Sequence, residues 1–372
     1  MRICHLIYDD LGNPWLAGGG AVRAREINRR LAAQHQVTQV CGRYPGGATR
    51  ENIDGIHILR VGSERSYARS RLGYMRRAPR MLRALDWDIW IYDFSAFAPL
   101  WVPPALRRRG VLLFYHFMGT HALVKRPLIG AFAWLAEQQV LRAYPRIVTI
   151  SPSVQRRLRR RVPSTVPVDC VLTGVDARYF TLEPLDEPFI LFLGRMDVHT
   201  KGLDTLVAAF ARIASRHPEI RLILAGRGQP GQTQRLRRLI AAARMEHRIT
   251  LAGPVDEERK CDLLRSCRFF CMPSRYEGWG IAAIEAGAAG KAVVGTRIEG
   301  LQDAVVDGET GLLVPPGDPA ALAEQMNRLL NDAERRRHLG ASGRQRARRF
   351  DWDHVAAEQE AVYATALAPQ TG

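Results

Sequence analysis

Short apolar runs, each followed by a segment with helical spacing, recur along this chain and restrict what it can fold into. Residues 88–93 and 111–116 are such runs in the first half, and residues 189–193 begin a similar series in the second half. Runs that are apolar throughout are typical of parallel strands covered by helices on both faces. Their alternation with helical segments predicts an α/β fold built from doubly wound parallel sheets.

Two series of strands and helices indicate two domains, and a chain of 372 residues is long enough to form them. The first series ends with a strand near residues 168–172, and a segment rich in proline and acids follows it. We therefore predict an N-terminal domain over residues 1–176, a linker over 177–188 and a second domain over 189–350. Residues 351–372 are predicted to form a C-terminal helix that crosses back to the N-terminal domain.

The composition is that of a soluble globular protein, with 47% hydrophobic and 24% charged residues. The longest apolar run, around residues 128–136, is much shorter than the ~20 residues that a membrane-spanning helix needs. The first residues have the pattern of a buried strand and not of a signal peptide, so we expect a cytoplasmic protein. The six cysteines lack the paired spacing of a zinc site, and we expect free thiols and no bound metal.

Positive charge is concentrated in the first half of the chain. The net charge is +17; residues 1–185 contain 28 basic and 13 acidic side chains, whereas residues 186–372 contain 26 and 24. A basic half of this kind attracts an anionic partner, which leaves nucleic acid, a lipid surface and a phosphorylated acceptor as candidates.

Arginine clusters account for much of this charge. Residues 65–83 hold seven arginines and no acid, interleaved with apolar and aromatic side chains, and further clusters lie at residues 107–109 and 156–161. A basic amphipathic segment of this type binds anionic membrane headgroups or an anionic acceptor, and a solvated helix face is the alternative. Three clusters in one half favour an anionic membrane surface as a partner, which predicts localisation at the inner face of the membrane.

The candidate ligand-binding residues of the first half are three glycines and one histidine. Gly18, Gly19 and Gly20 lie between the first strand and a helix predicted from Ala21, where a backbone without Cβ atoms can approach a phosphate. A tight turn without a ligand is the alternative. His116 ends a predicted strand, at the edge where open α/β sheets bind ligands, although a purely structural histidine has the same pattern.

Residues 273–289 are the most informative stretch of the second half. After a buried strand, a polar loop carries Glu277, and a small-residue helix containing Glu285 follows Gly278 and Gly280. Carboxylates accept hydrogen bonds from hydroxyl groups, and a helix N-terminus binds anions. A sugar joined to a nucleoside diphosphate contains both kinds of group. The alternative is ordinary α/β construction, in which small residues let the helix pack closely on the sheet.

Two cations accompany this stretch. Arg195 follows the strand at residues 189–193, and Lys201 lies at the start of the next helix. A cation near a helix N-terminus opposes the helix dipole, so its placement favours a bound anion such as a pyrophosphate. Gly226 and the loop that contains Val255 follow the next two strands, and we expect their backbone to contact the same ligand.

These residues together resemble the family-4 glycosyltransferases, whose fold is GT-B. The motifs that carry the resemblance occur in order: Gly194-Arg195, Lys201-Gly202, Leu224-Ala225-Gly226, the E-x7-E pair Glu277/Glu285, and Asp307-Gly308-x-x-Gly311-Leu312-Leu313. Each motif is common alone, and the five in sequence are specific. The resemblance covers nearly all of the chain and implies two Rossmann-like doubly wound domains that face a central cleft. We expect the last motif to form a hairpin.

The resemblance implies a role for each charged candidate. Arg195 and Lys201 would hold the diphosphate of a nucleotide sugar. Glu277 would bind hydroxyl groups of the transferred sugar, Glu285 would bind the ribose hydroxyls, and His116 would lie beside the sugar as a catalytic residue together with Glu277.

Donor contacts through the backbone are implied as well. They are assigned to Gly18, Gly19, Gly20, Gly226, Val255, Gly278, Trp279, Gly280 and Ile281. The chain departs from the family pattern at Thr173, where asparagine is common, at Arg227, where an acid is common, and at Trp279, where phenylalanine is usual. The larger ring of Trp279 would alter which sugar fits against the helix start.

The family transfers sugars with retention of anomeric configuration and needs neither a metal nor another cofactor. We therefore predict a retaining hexosyltransferase that uses a UDP- or GDP-sugar and a saccharide or lipid-linked acceptor, in cell-surface glycan biosynthesis. A phosphorylase or nucleotide-sugar epimerase of the same fold is one alternative. A non-catalytic nucleic-acid-binding protein is the other, but no base-reading motif is present, and we expect no nucleic acid partner.

Overall fold

The structure, a computed structural model, describes residues 1–15, 18–95, 102–117 and 127–368. The chain forms two compact units. The first runs from Met1 to Thr173 and takes in the C-terminal segment from Trp352, and the second runs from Gly174 to Asp351. Residues 177–188, predicted as a linker, lie in the second unit, where Ala177–Thr181 forms a 3-10 helix.

Strands and helices alternate along both units. The strands are β1 Arg2–Leu6, β2 Gln36–Gly42, β3 Arg50–Ile53, β4 Ile56–Val61, β5 Ile89–Asp93, β6 Gly110–Phe114, β7 Arg146–Thr149, β8 Val168–Cys170, β9 Phe189–Leu193, β10 Arg221–Ala225, β11 Ile249–Gly253, β12 Phe269–Met272, β13 Val293–Thr296 and β14 Gly311–Val314. The helices are α1 Gly19–Leu31, α2 Tyr67–Ala84, α3 Pro104–Arg107, α4 Pro127–Leu141, α5 Pro152–Arg159, α6 Leu203–Ile213, α7 Pro230–Ala242, α8 Glu257–Ser266, α9 Ile281–Ala288, α10 Leu301–Ala304, α11 Pro319–Asn331, α12 Ala333–Ala347 and α13 Trp352–Leu367.

The first unit is built on a sheet with the strand order β3-β4-β2-β1-β5-β6-β7-β8. All neighbouring strands are parallel except β3 and β4. The chain moves outward from β1 on one side and returns to add β5 on its other side. The switch point of this sheet, where open α/β sheets bind ligands, therefore lies between β1 and β5.

Two core clusters cover the two faces of this sheet. Helices α2, α4 and α5 pack on one face through Tyr74, Val140 and Val154. Helices α1 and α13 pack on the other face through Ile27 and Tyr363. The arginine-rich helices α2 and α5 therefore share one layer with α4.

Strands β3 and β4 are the antiparallel pair of this sheet. The two strands form a hairpin in which Ile53 lies opposite Ile56, with Asp54 and Gly55 in the turn. An Asp-Gly pair between two strands is a strong hairpin signal. Strand β3 escaped prediction because its sequence, RENI, is largely polar and exposed.

The second unit contains a sheet with the order β11-β10-β9-β12-β13-β14, parallel throughout. Its switch point lies between β9 and β12. Helices α6 and α11 pack on one face of the sheet, with Phe210 and Met326 among their fully buried side chains. Both units thus confirm the predicted α/β class with parallel sheets.

The hairpin predicted at residues 307–311 does not form. Strand β14 instead pairs in parallel with β13. The turn before β14 is closed by hydrogen bonds to residues of β14 itself. The Gly308 N–H donates to the Gly311 carbonyl at 2.8 Å, and the Leu313 N–H donates to the Asp307 carboxylate at 2.8 Å.

Within the described ranges, no helix is both long and apolar enough to cross a membrane.

Candidate active site

Most of the candidate residues follow strands at the carboxyl edge of the second sheet. Arg195 and Lys201 come after β9, and Glu277 comes after β12, so these three lie on the two sides of the switch point. The carboxyl ends of parallel strands meet at one edge, and a ligand binds in the crevice at that point. The sheet order thus gives a structural reason for grouping residues that are distant in sequence.

Glycine at position 226 is required by the packing of neighbouring loops. The Gly226 N–H donates to the Gly253 carbonyl at 2.7 Å, and a Cβ atom on Gly226 would lie 1.9 Å from the Gly194 carbonyl oxygen. Its φ of 141° is also unfavourable for other residues. The carboxyl ends of β9, β10 and β11 are therefore held together by backbone contacts. Whether Gly226 also contacts a ligand stays a prediction.

The start of α6 is pressed against the loop that carries Glu277. A Cβ atom on Gly202, whose φ is 64°, would lie 2.0 Å from the Pro273 carbonyl oxygen. Arg275 fastens the same loop to α6, because its guanidinium donates to the two oxygens of Asp204 at 2.7 and 3.0 Å. It also donates to the His199 carbonyl at 2.9 Å. Sequence reasoning did not assign Arg275 a role.

Glu277 is held at one of its two carboxylate oxygens. The Lys201 Nζ and the Ser274 hydroxyl, the latter at 2.7 Å, both donate to Oε1. The side chains of Lys201 and Glu277 are 12% and 11% exposed. Two residues predicted to hold different parts of one ligand are thus in direct contact with each other, and in the described part of the chain Oε2 has no protein donor.

Glu285 has the same arrangement on helix α9. Its Oε1 accepts a hydrogen bond of 2.7 Å from the Lys260 Nζ and lies 3.5 Å from the Tyr179 hydroxyl. That hydroxyl also lies 3.0 Å from the Glu257 carboxylate. Sequence reasoning missed both partners, because Tyr179 was assigned to a linker and Lys260 lies in an ordinary helical pattern.

The surroundings of Glu285 shift the pKa values of its two partners. Burial lowers the pKa of Lys260, but the charge and hydrogen bond of Glu285 outweigh it and raise that pKa above its ordinary value. Burial, with added repulsion from Glu285 and Glu257, raises the pKa of Tyr179 well above its ordinary value. Lys260 is therefore a stable cation and Tyr179 a stable neutral hydroxyl.

Helix α9 begins with unpaired backbone donors. Gly280 is its N-cap, and no side chain caps it. Among the described residues, the N–H groups of Trp279, Gly280, Ile281 and Ala282 have no protein acceptor. Such a helix start, next to Lys201, favours an anion such as a phosphate.

The indole ring of Trp279 is buried in the second unit. It is 2% exposed and packs edge to face on Phe350, with ring centroids 5.5 Å apart. The prediction that the larger ring changes the fit of a sugar at the helix start requires an accessible ring, and this ring is covered.

Two further candidates of the second unit are more exposed. Arg195 is exposed just after β9, and its guanidinium has no acidic partner among the described residues. Val255 is half-buried in the loop between β11 and α8. Both lie at the same sheet edge as Lys201, and their contact with a ligand stays a prediction.

The candidate residues of the first unit follow the carboxyl ends of strands of the first sheet. Helix α1 begins at Gly19 and not at Ala21, so Gly18 is the N-cap and the other two glycines lie in the first turn. None of the three has a positive φ, so the backbone conformation at these positions does not require glycine. His116 is exposed just after β6.

A buried polar network beneath these glycines was not predicted. His5 Nε2 lies 2.8 Å from Asp93 Oδ1, and the Tyr115 hydroxyl donates to Asp93 Oδ2 at 2.5 Å. Asn28 continues the network, with its Nδ2 3.0 Å from His5 Nδ1. A Cβ atom on Gly20 would meet the Tyr115 ring at 3.7 Å. The sequence signal was present, since a histidine lies within the buried part of β1 and an aspartate ends the apolar strand β5.

No group of three or more His, Cys, Asp or Glu side chains is placed to hold a metal ion in the described part of the chain. The cysteines Cys4, Cys41, Cys261, Cys267 and Cys271 are free thiols. Burial raises the pKa of the Cys4 and Cys267 thiols to about 12.

Two family models of known proteins match successive parts of the chain. "Glycosyltransferase Family 4" matches residues 17–179, and "Glycosyl transferases group 1" matches residues 177–346. Together they cover every candidate residue named above, and strand β1 lies before the first match.

Similar curated proteins act on sugars. The chain is 37% identical over 185 residues to the D-inositol 3-phosphate glycosyltransferase of Xylanimonas cellulosilytica, a match that covers 49% of this chain and 43% of the relative. It is 30% identical over 237 residues to the phosphatidyl-myo-inositol mannosyltransferase of Mycolicibacterium smegmatis, which covers 61% and 60%. The chain spans about half the length of the curated relatives it matches.

Similar solved structures share the fold. Sucrose-phosphate synthase from Thermosynechococcus elongatus has a TM-score of 0.84 at 24% identity, over 98% of this chain and 99% of that one. Anabaena HepE in complex with UDP and glucose has a TM-score of 0.78 at 17% identity, over 98% and 100%.

Proposed function

Because the chain belongs to the glycosyltransferases with group 1 and family 4 domains, we propose that it transfers a hexose from a nucleoside diphosphate sugar, a UDP- or GDP-sugar, to a saccharide or lipid-linked acceptor. One observation carries the proposal. At the switch point of the second sheet, two carboxylates each have one oxygen held by a lysine and near a hydroxyl, and a helix start with unpaired N–H groups lies between them in sequence. A ligand with hydroxyl groups on both sides of a phosphate matches that set of groups.

Each group would have a distinct task in this reaction. Arg195, Lys201 and the start of α9 would bind the diphosphate and stabilise the charge that develops on it as the glycosidic bond breaks. Glu277 would accept hydrogen bonds from the sugar, and Glu285 from the ribose. In a retaining transfer, the acceptor oxygen bonds to the anomeric carbon on the face that the phosphate leaves, and the departing phosphate oxygen takes the acceptor's proton.

The acceptor proposal rests on charge and on the relatives. One relative's name specifies D-inositol 3-phosphate and another phosphatidyl-myo-inositol, both of which are polyols attached to a phosphate. Residues 1–185 of this chain hold 28 basic and 13 acidic side chains, and this basic balance suits such an anionic acceptor. We propose a phosphate-bearing saccharide or polyol, free or attached to a lipid.

Product analysis tests the proposal. The full chain is incubated with radiolabelled UDP- and GDP-hexoses and with inositol phosphate, phosphatidylinositol and simple saccharides as acceptors. Label on an acceptor supports a transferase. Label recovered as sugar phosphate or as an isomerised donor would instead identify the phosphorylase or epimerase. Binding of duplex DNA or RNA with no binding of any nucleoside diphosphate would favour the nucleic-acid-binding alternative.

We further propose that the first unit binds the surface of an anionic membrane, at the inner face of the membrane. Helix α4 exposes large apolar side chains: Leu128 is 89% exposed, Leu135 59%, and Phe132 and Trp134 42% each. Leucine and aromatic residues on a surface helix suit the boundary between headgroups and acyl chains.

Charge on the same layer supports a bilayer as the partner of α4. Helices α2 and α5 pack on the same face of the sheet as α4, and they expose several arginines, among them Arg76, Arg80 and Arg159. Each basic side chain near an anionic surface contributes about 1 kcal/mol of attraction. A protein partner would need complementary acids over this wide basic layer.

Flotation with lipid vesicles tests membrane binding. The wild type should float with vesicles that contain phosphatidylglycerol and stay behind with pure phosphatidylcholine. The triple variant Leu128→Ser/Phe132→Ser/Leu135→Ser should lose flotation, and Leu185→Ser, which changes an exposed leucine of the second unit, should not. Equal flotation of the triple variant and the wild type would contradict the proposal.

A further inference from the structure

Lysine is rare in this chain, and its positions are informative. The chain has 54 basic residues, of which four are lysine, at positions 125, 201, 260 and 291. Lys125 lies outside the described residues. Lys291 is buried and donates to the carbonyl oxygens of Leu185 and Cys267, an ordinary structural role. The other two each contact one carboxylate of the E-x7-E pair, and Lys260 has no assigned function.

The surroundings of Lys260 direct its ammonium group to the Glu285 carboxylate. Its Nζ donates to Glu285 Oε1 at 2.7 Å and lies 5.3 Å from the centroid of the Tyr179 ring. The Lys260 side chain is 19% exposed and that of Glu285 11%. The remaining acid nearby, Glu257, is 3.6 Å away and 59% exposed, so it competes weakly for the ammonium.

The two oxygens of Glu285 differ as a result. Oε1 contacts both Lys260 and the Tyr179 hydroxyl, whereas Oε2 has no protein donor among the described residues. A carboxylate fixed at one oxygen cannot rotate freely, so its other oxygen is presented in one direction. Preorganised acceptors of this kind bind a hydroxyl pair better than mobile ones do.

We propose that Lys260 is a positioning residue that holds Glu285 as an acceptor for the ribose hydroxyls of the donor, and so sets a preference for ribonucleoside over deoxyribonucleoside diphosphates. The inference rests on the proposed function of the same site.

The chemistry of lysine suits this position better than that of arginine. An ammonium is a compact charge that binds one carboxylate oxygen. A guanidinium is a planar fork that tends to take both oxygens of a carboxylate. An arginine at position 260 would keep the positive charge but would occupy Glu285 Oε2, the oxygen that the ligand needs.

Calorimetry on the full chain tests the inference with UDP, GDP and their 2′-deoxy forms. For whichever nucleotide binds, the wild type should prefer the ribo form by roughly 10- to 100-fold. Lys260→Met and Lys260→Arg should both bring that ratio close to that of Glu285→Gln, while the affinity for the deoxy form stays the same. The matched control Arg259→Met, which removes an exposed cation from the same helix, should keep the wild-type ratio.

Different outcomes overturn different claims. A folded Lys260→Met with the wild-type ratio would overturn the inference alone, and so would full rescue by Lys260→Arg, because charge and not orientation would then suffice. Failure of the wild type to bind any nucleoside diphosphate would overturn the proposed function and the inference with it. If Lys260→Met does not fold, Lys260→Arg decides the matter, since it keeps the charge and should still reduce the ratio.

Discussion

The Lys201 Nζ contacts Glu277 Oε1, and this ion pair joins the start of α6 to the loop after β12. The two residues are 76 positions apart in sequence and lie on opposite sides of the switch point of the second sheet. Each partner holds the other in place while the ligand is absent. A bound phosphate would then contact a lysine side chain that is already ordered and largely desolvated.

The first prediction concerns the coupling of this pair. Lys201→Ala should lower kcat/KM about tenfold or more, because it removes a charge-assisted hydrogen bond of about 1.5–3 kcal/mol. It also leaves Glu277 without its counterion. The double variant Lys201→Ala/Glu277→Ala should therefore lose less than the product of the two single effects. Strictly multiplicative effects in steady-state kinetics would mean that the two residues act independently.

The second prediction concerns the loop anchor Arg275. Arg275→Met should lower kcat/KM, because Arg275 binds Asp204 and the His199 carbonyl and so positions the Glu277 loop. Arg2→Met is the control, since it breaks an exposed ion pair with Asp88 in the first unit, where such pairs contribute about 0–1 kcal/mol. Unchanged kinetics of the Arg275 variant would rule out a positioning role.

The third prediction concerns the backbone of Gly226. Gly226→Ala should lower the free energy of unfolding by about 1–3 kcal/mol, since the new Cβ meets the Gly194 carbonyl and the φ is strained. Gly231→Ala, at a helical position with nothing within 4 Å, should be neutral or slightly stabilising. Thermal or denaturant unfolding measures both, and equal stability of the two variants would contradict the packing described here.

The fourth prediction concerns Trp279. Because its ring is buried against Phe350, Trp279→Phe should leave the preference among nucleotide sugars unchanged. Trp279→Ala should destabilise the second unit by about 3–5 kcal/mol, as expected for an aromatic side chain removed from a core. A change of preferred sugar in the phenylalanine variant would mean that the ring reaches the ligand.

The fifth prediction concerns alkaline pH. The folded-state pKa of Lys260 is raised above its ordinary value of 10.5, so its contribution to stability is fully present below that pH and is lost as pH rises through the folded pKa. The difference in unfolding midpoint between the wild type and Lys260→Met should therefore shrink above about pH 10.5. A difference that stays constant with pH would show that the ammonium is not stabilised by Glu285.

Sequence patterns predicted the architecture well because each buried strand is a local signal. The apolar runs at residues 189–193 and 269–272 form β9 and β12, and the helices between successive strands indicate that the strands are parallel. Strand β3 was missed because its side chains are polar and exposed, although the Asp-Gly pair that follows it is a recognisable hairpin signal.

The candidate site was predicted in part for the same reason. Residues next to a strand end or helix start, such as Lys201 and Glu277, can be identified from local spacing. Contacts between distant segments cannot, and Tyr179 is the clearest case: it lies in a stretch that resembles a linker, yet it contacts Glu285, 106 positions away. The His5–Asp93 pair was missed likewise, since its meeting depends on the adjacency of β1 and β5.

The central claim is that the switch point of the second sheet binds a nucleoside diphosphate sugar. Thermal unfolding of the wild type, Lys201→Ala and Glu277→Ala with a panel of UDP- and GDP-hexoses tests it most directly. A donor present at about 100 times its Kd should stabilise the wild type by about 2.7 kcal/mol, and both variants should lose about half of that stabilisation or more. Stabilisation of the variants equal to that of the wild type, or no stabilisation of the wild type by any donor, would contradict the claim.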